Sequence, residues 1–536
     1  MIRYYLLLCL CTLTFFSGCA SLLSTHTPQS ISPISFGLYE ATTGEDRYNI
    51  LLSVHKYACK NGLSVDYTGI HTIEISIPKG AESIPLCPDN NFAGVVLNVK
   101  NKAEDTYLFT YTNREEKIDI PKKSIDRGVF KTIKRLNKGI NLLIIEDDNP
   151  WVKNRKGYSY GHKRRDILLL HNGKALNQTI MPYNNEQSLT SCKFYNVIYP
   201  YLRIENITIN RQEGSTFKSF LCNIVGANKV LLNNVVINTQ SSDLVDDVAI
   251  RIVDCTNVSF ENVTINGTYS QPNHSGYGIS MNNVWNFSAN NLMAYGEWGV
   301  FGNNNINTAT ITNSTINRFD VHCYGREVSF KNVTFRRLYN QFSSIFGSVL
   351  FDNCTFDDFI PVLYEPSYEV QSKHDIIFRN CVFMLTKTRN YLVSLNTVNK
   401  GDIKRPELCD NSWPSVSIEK MIVNVSESAT DMMVFLYPKS GVKGIDRISD
   451  ININDLEFKY SNSTIPVDLY ISNVEVSSAT PVKINVNKLD LTSGAPTKSQ
   501  ATIGLKGRFI TNIKQECISV NSAVTKSHIS NSLLSE

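Results

Sequence analysis

The sequence predicts an all-β chain wound as a parallel β-helix and closed at its N-terminal end by a short helix. Three observations carry this. A strand-like phrase recurs through the middle of the chain, Asn occupies one slot of each copy, and composition is that of a β protein. Of 536 residues only 19% are charged, while Tyr and Phe number 25 each.

The phrase is apolar, any, Asn, small or apolar, Thr-like, apolar. It reads Ile204 to Ile209, Leu232 to Ile237, Phe260 to Ile265, Ile311 to Ile316, Phe330 to Phe335, Phe351 to Phe356 and Phe378 to Phe383. The Asn slots are 206, 234, 262, 313, 332, 353 and 380, with Asn291 in a looser copy, so successive steps are 28, 28, 29, 22, 19, 21 and 27 residues. Side chains alternate with period two inside each phrase, which is a strand signal, and recurrence at this interval is a solenoid signal. One coil cannot bury its apolar face alone, whereas stacked coils can. Asn suits a sharp corner because it tolerates left-handed backbone, and stacked amides can bond from coil to coil. The same slots spell Asn-X-Ser/Thr, as at Asn262-Val263-Thr264, a glycosylation pattern that the ladder already explains.

The N-terminus gives the address. Met1-Ile2-Arg3, an apolar segment and Ser17-Gly18-Cys19 form a secretory signal too short to span a membrane. Phe16-Ser17-Gly18-Cys19 resembles the bacterial lipobox, which implies acylation of Cys19 as the mature first residue. Ala20 in place of Asp implies the outer membrane, on either side of it. Residues 1–18 are then the signal and 19–35 a tether rich in Ser, Thr and Pro. Net charge is +4, which by itself points to no nucleic-acid partner. Ten cysteines follow Cys19. Cys59 and Cys87 are the pair expected to bridge, while Cys222, Cys255, Cys354 and Cys381 sit in strand phrases as small hydrophobes.

Residues 36–130 read as cap and first coils. Glu45 and Asp46 open an amphipathic helix through Leu51, Leu52, Val54 and Ala58, and Gly62 closes it. Coils are expected over 131–385, most clearly from 195. Further β-coils or a small β-domain are expected over 386–495, and a tail or final cap over 496–536. The stretch from Lys153 to Arg165 interleaves basic residues with Tyr158 and Tyr160, as a solvated loop or as a contact for an anionic polymer. A short helix followed by first coils resembles the N-terminal cap of pectate-lyase-like and phage-tailspike-like β-helix proteins. The resemblance implies a right-handed, single-stranded helix of coils whose open end is covered. It leaves trimerisation, as in tailspikes, open.

Function on such a fold sits on loops and on one outer face. Trp298-Gly299-Val300-Phe301-Gly302-Asn303, with Arg318-Phe319-Asp320-Val321-His322 one coil later, resembles a signature of that superfamily. Asp320 and His322 alternate on one strand, and Glu297 lies one coil earlier at a coil spacing of about 4.8 Å. The three are expected to converge as a catalytic carboxylate–His–carboxylate group. Arg326 would hold a substrate carboxylate, with Tyr295, Trp298 and Asn303 beside it. The opposing reading pairs Arg318 with Asp320 structurally and makes His322 a hydrogen-bonded corner residue. His274, Tyr277, Tyr364 and Glu365 form an aromatic and acidic cluster suited to sugar rings. Asp243, Asp246 and Asp247 suit a solvated loop, hydrolysis or Ca²⁺. Adjacent Asp246 and Asp247 resemble polygalacturonase-type hydrolases, but that group's companion motifs are absent. No motif calls for a cofactor or a resident metal.

The reading is a polysaccharide-active envelope enzyme, a glycoside hydrolase or lyase. A glycan-binding or adhesin-like lipoprotein without turnover is the alternative, and a purely structural surface protein the third.

Overall fold

A computed structural model describes residues 29–101, 107–152, 162–180, 189–199, 201–212, 219–239, 248–267 and, with interruptions, 270–395 and 412–519. The signal, Cys19 and the Asp243–Asp247 cluster lie outside these residues, as do Lys153 to Tyr160.

The chain is mostly β, and its strands stack in parallel, coil on coil. Residues 248–267 show one full coil. Val248–Val253 forms a leading sheet, Cys255–Glu261 a middle sheet and Val263–Gly267 a trailing sheet. Val248 pairs with Ser219 on one side and Tyr277 on the other, Phe260 with Leu232 and Ala289, and Ile265 with Ile237 and Ala294. Left-handed corners flank the middle sheet, which itself bends at Asn257 and Asn286, with φ of 53° and 61°. Asp254, Asn283 and Asn305 hold the first, with φ of 53°, 59° and 54°. The second is the Asn slot: Asn206, Asn234, Asn262, Asn291, Asn313, Asn332, Asn353 and Asn380 all have φ between 49° and 57°. The left-handed region costs most L-residues 1–2 kcal/mol, and Asn enters it readily. The amides then ladder: Asn234 Nδ2 donates to Asn206 Oδ1 at 2.9 Å, Asn332 to Asn313 at 2.9 Å and Asn353 to Asn332 at 2.7 Å. A second ladder runs through Asn98, Asn210, Asn238 and Asn266.

Inside the coils the Phe slots stack. Phe330, Phe351 and Phe378 lie 5.1 Å apart in nearly parallel planes, and Phe335 lies 5.2 Å from Phe356. Free Cys222, Cys255, Cys354 and Cys381 fill the same core. Parallel stacking continues through Arg389–Leu395, Met432–Pro438, Asp468–Ser472 and Ile503–Lys506, past the expected tail boundary at 496.

The helix Gly44–Asn61 covers the first coil. Thr43 caps it, with Asp46 N donating to Thr43 Oγ1 at 3.0 Å and Thr43 N donating to Asp46 Oδ2 at 3.1 Å. Tyr48, Leu51, Val54 and Ala58 are buried with Ile73, Ile75 and Ile84 in one core. His55 is fully buried: its Nδ1–H donates to the Pro85 carbonyl at 2.9 Å and Tyr67 Oη–H donates to its Nε2 at 2.8 Å. Burial lowers its pKa to about 4. Cys59 and Cys87 are bridged, with Cα atoms 5.0 Å apart.

One region departs from the expected coils. Between Thr112 and Leu202 the chain leaves the stack and forms a five-stranded antiparallel sheet, ordered Lys174–Ala175, His162–His171, Ile140–Val152, Leu189–Asn196 and Glu115–Pro121. The coil boundary placed at 131 is therefore corrected to 202. One face of this insert packs Leu143, Ile145, Leu168 and Phe194 against Ile125 and Phe130. The other packs Leu142, Ile144, Ile167 and Tyr195 against Val225 and Trp285 of the coils. Strands buried on both faces read as unbroken apolar runs, so their period-two signal is lost.

Candidate functional site

The leading sheet carries Gly302 and Asp320 on the face opposite the core residues Phe301, Phe319 and Val321. Asp320 pairs with Gly302 below and Gln341 above. Between Asn303 and Asn304 the register slips, so His322 is the extra residue of a β-bulge at the first corner. A bulge re-aims a side chain. Here it leaves His322 Nε2 at 3.5 Å from Asp320 Oδ2.

Tyr277 completes the group from two coils away. It starts the strand Tyr277–Asn290, and its hydroxyl lies 3.1 Å from His322 Nε2 and 3.4 Å from Asp320 Oδ2. Gly302 makes this reach possible: a Cβ there would stand 2.6 Å from the Tyr277 ring. The sequence placed Tyr277 in a separate cluster, and nothing in one-coil spacing brings it here.

Beneath them lies a buried ion pair. Arg318 Nε donates to Asp320 Oδ1 at 2.5 Å, and the two side chains are 1% and 0% exposed. Arg318 also donates to Gln341 Oε1 at 3.0 Å and rests 4.2 Å from the Tyr339 ring centroid. Gln341 N donates to Asp320 Oδ1 at 3.2 Å. Burial alone would lower the Arg318 pKa; Asp320, with Tyr339 and Tyr277, turns the net shift upward. The sequence reads Asp320 as a catalytic carboxylate beside His322; in the structure its side chain is fully enclosed. It pairs with Arg318, and its other oxygen faces the His322 ring.

Asn303 is also corrected. It stacks between Met281 and Val321, its side chain is fully buried, and neither amide atom has a partner among the described residues. It has no surface to offer a substrate.

Arg326 lies four residues beyond His322, on the middle sheet beside the insert, with Nη1 3.4 Å from Gln178 Oε1 and Nε 3.9 Å from Glu327. His274 belongs to a two-residue strand paired with Ser270–Gln271, and Tyr364 ends the strand Ile360–Tyr364 opposite Phe342. Tyr295, Glu297, Trp298 and Glu365 lie outside the described residues. Of the basic stretch, Arg165 is a docking residue: it donates to Asp254 Oδ2 at 2.9 Å, where Tyr195 also donates, while Asn283 donates to Asp254 Oδ1. Burial raises the Asp254 pKa against these partners.

No family model matches the chain, and no curated protein matches it. Solved structures do. The tailspike protein gp49 from Pseudomonas phage LKA1 is 13% identical with a TM-score of 0.51, over 88% of this chain and 84% of that one. The Gp54 tailspike of Acinetobacter baumannii bacteriophage AP22, solved in complex with A. baumannii capsular saccharide, is 12% identical with a TM-score of 0.55, over 89% and 77%. The chain shares their parallel β-helix fold. At such identity the likeness is one of fold, and function has to be argued from the site.

Proposed function

We propose that this protein is a lipid-anchored envelope enzyme that cleaves an acidic polysaccharide by elimination, with His322 and Tyr277 as the proton-transfer pair. The coils are read as right-handed, the hand that parallel crossovers take. The observation that carries the proposal is the convergence of Tyr277 Oη, His322 Nε2 and Asp320 Oδ2 within 3.1–3.5 Å, drawn from coils two turns apart. Hydrolysis calls for two carboxylates facing the bond. Among the described residues this group holds one, and Arg318 neutralises it. Elimination calls instead for a base that removes the proton next to a uronate carboxylate and an acid that protonates the departing glycosidic oxygen. One C–H and one C–O bond break and a C=C bond forms, with no external reactant. A His–Tyr pair fixed by a buried carboxylate supports both roles. A tailspike of the same fold, solved in complex with a capsular saccharide, supports a polysaccharide as ligand.

The test is product release from a panel of acidic and neutral polysaccharides, with ultraviolet absorbance of unsaturated ends and reducing ends read together. Both signals are expected from acidic polymers only, and Tyr277→Phe or His322→Ala should each lower them about 10²–10⁴-fold. Reducing ends without unsaturation would overturn elimination.

One observation favours a second reading, glycan binding without turnover: His322 is 8% exposed and Asp320 not at all. Retention on the polymer with neither product would select it.

A further inference from the structure

The insert meets the coils around a cleft that no motif singled out. The helix Lys122–Arg127 ends at Gly128, in left-handed backbone with φ of 61°, and the Gly128 carbonyl accepts from Ala175 N at 2.8 Å. From there the chain runs as a rail alongside the strand His162–His171. Asn177 stands in for a strand partner, its Oδ1 accepting from Leu169 N at 2.8 Å and its Nδ2 donating to the Ile167 carbonyl at 2.9 Å. Ile180 N donates to Asp166 Oδ1 at 2.8 Å. Gln178 ties this rail to the coils twice. Its carbonyl accepts from Asn307 Nδ2 at 2.7 Å, and its Oε1 accepts from Arg326 Nη1 at 3.4 Å.

Insert and coils thus enclose a cleft of about 820 Å³, in the range of ligand sites. Among the described residues its charged lining is Arg127, Lys174 and Arg326 against one carboxylate, Asp126. Glu327 lies beside Arg326, but it is 59% exposed and 3.9 Å away. Phe346 and the polar side chains of the rail complete the walls. Three cations around one anion, with amides, a hydroxyl and one aromatic ring, suit a polyhydroxylated anion. The cleft is also close to the candidate site: Arg326 is four residues from His322, at most about 13 Å of extended chain.

We propose that this cleft is a second subsite, which grips the carboxylate of a sugar residue in an acidic polysaccharide whose neighbouring residues lie at His322 and Tyr277. The insert is thereby a substrate-binding module. In its substrate class the inference rests on the proposed function, but its site and its test are separate.

The test is affinity electrophoresis of the full chain, kept in detergent, through gels containing polygalacturonate, alginate, hyaluronate or neutral dextran. Retardation is expected in at least one acidic gel, none in dextran, and weakening with salt. Arg127→Gln/Lys174→Gln/Arg326→Gln should raise the apparent Kd at least about tenfold, the loss of charge-assisted contacts. All three substitutions lie at the surface, and near-UV circular dichroism checks the fold. Tyr277→Phe should lose turnover and keep retardation, which separates the two sites. Retardation unchanged in the triple variant, or equal in dextran, overturns this inference and leaves the proposed function standing. Neither binding nor cleavage of any polymer overturns both.

Discussion

The role of Asp320 can be decided by removing its charge. Asp320→Asn keeps the shape and an acceptor for Gln341 N but strands the Arg318 guanidinium, which is 1% exposed. Breaking one partner of a buried pair typically costs 3–5 kcal/mol, because the remaining charge is desolvated and uncompensated. Arg318→Met strands the carboxylate at similar cost. The double variant Arg318→Met/Asp320→Asn buries no charge and should recover most of the loss, since such replacements are often close to neutral. The coupling between the sites is thus expected to reach about 3 kcal/mol. A solenoid of this length need not unfold in one step. The assay is therefore hydrogen–deuterium exchange of amides in Phe319–Arg336, which reports local opening free energy. Additivity of the single variants within about 0.5 kcal/mol would refute the counter-ion assignment. Loss of turnover in Asp320→Asn at unchanged protection would return Asp320 to the catalytic role read from sequence.

Gly302→Ala should displace the Tyr277 ring, whose nearest atom would lie 2.6 Å from the new Cβ. Turnover should fall as in Tyr277→Phe, with about 1–3 kcal/mol lost to overpacking, and a crystal structure retaining the Tyr277–His322 contact would contradict this. His55 titrates at about 4 folded and near 6.5 unfolded, so its contribution is complete above about pH 6.5 and is lost as pH falls toward 4. Amide protection across Leu51–Ala58 should drop by about 3 kcal/mol over that window, and an equal drop in His55→Gln would exclude His55 as its source. Cys59→Ser/Cys87→Ser opens a loop of 28 residues, which chain entropy values at about 3–4 kcal/mol; unchanged melting of the cap after the substitution would count against that.

Why some of this was legible is a matter of what leaves a local trace. A left-handed corner admits few residue types, so Asn recurs in the repeated slot and every slot read from sequence has positive φ, while the corner at Asp254, Asn283 and Asn305 went unread. The cap helix was equally plain, because an N-cap, an apolar stripe and a closing Gly are local signals. The insert left no such trace. Its runs Leu142–Ile145 and Ile167–Leu170 are buried on both faces, and its pairings join residues far apart in sequence. At the site, Asp320 and His322 were found because they share a strand. Tyr277 was misplaced because its contact spans two coils and depends on the missing side chain of Gly302. Arg326 was named from sequence as a holder of a substrate carboxylate, but the cleft around it was invisible because one wall belongs to the insert.

The direction of the hydrogen bonds between coils has a mechanical consequence. They run along the axis of the stack, as do the Asn amide bonds from Asn206 to Asn234 and from Asn332 to Asn353. Tension along that axis therefore opens them in sequence, like a zip, while force across the axis must shear every bond of a coil together. A polymer dragged sideways over the outer face loads the molecule in its strong direction. Pulling on the two ends loads the weak one, and neighbour-only contacts mean that coils peel away singly, each leaving an intact stack behind it.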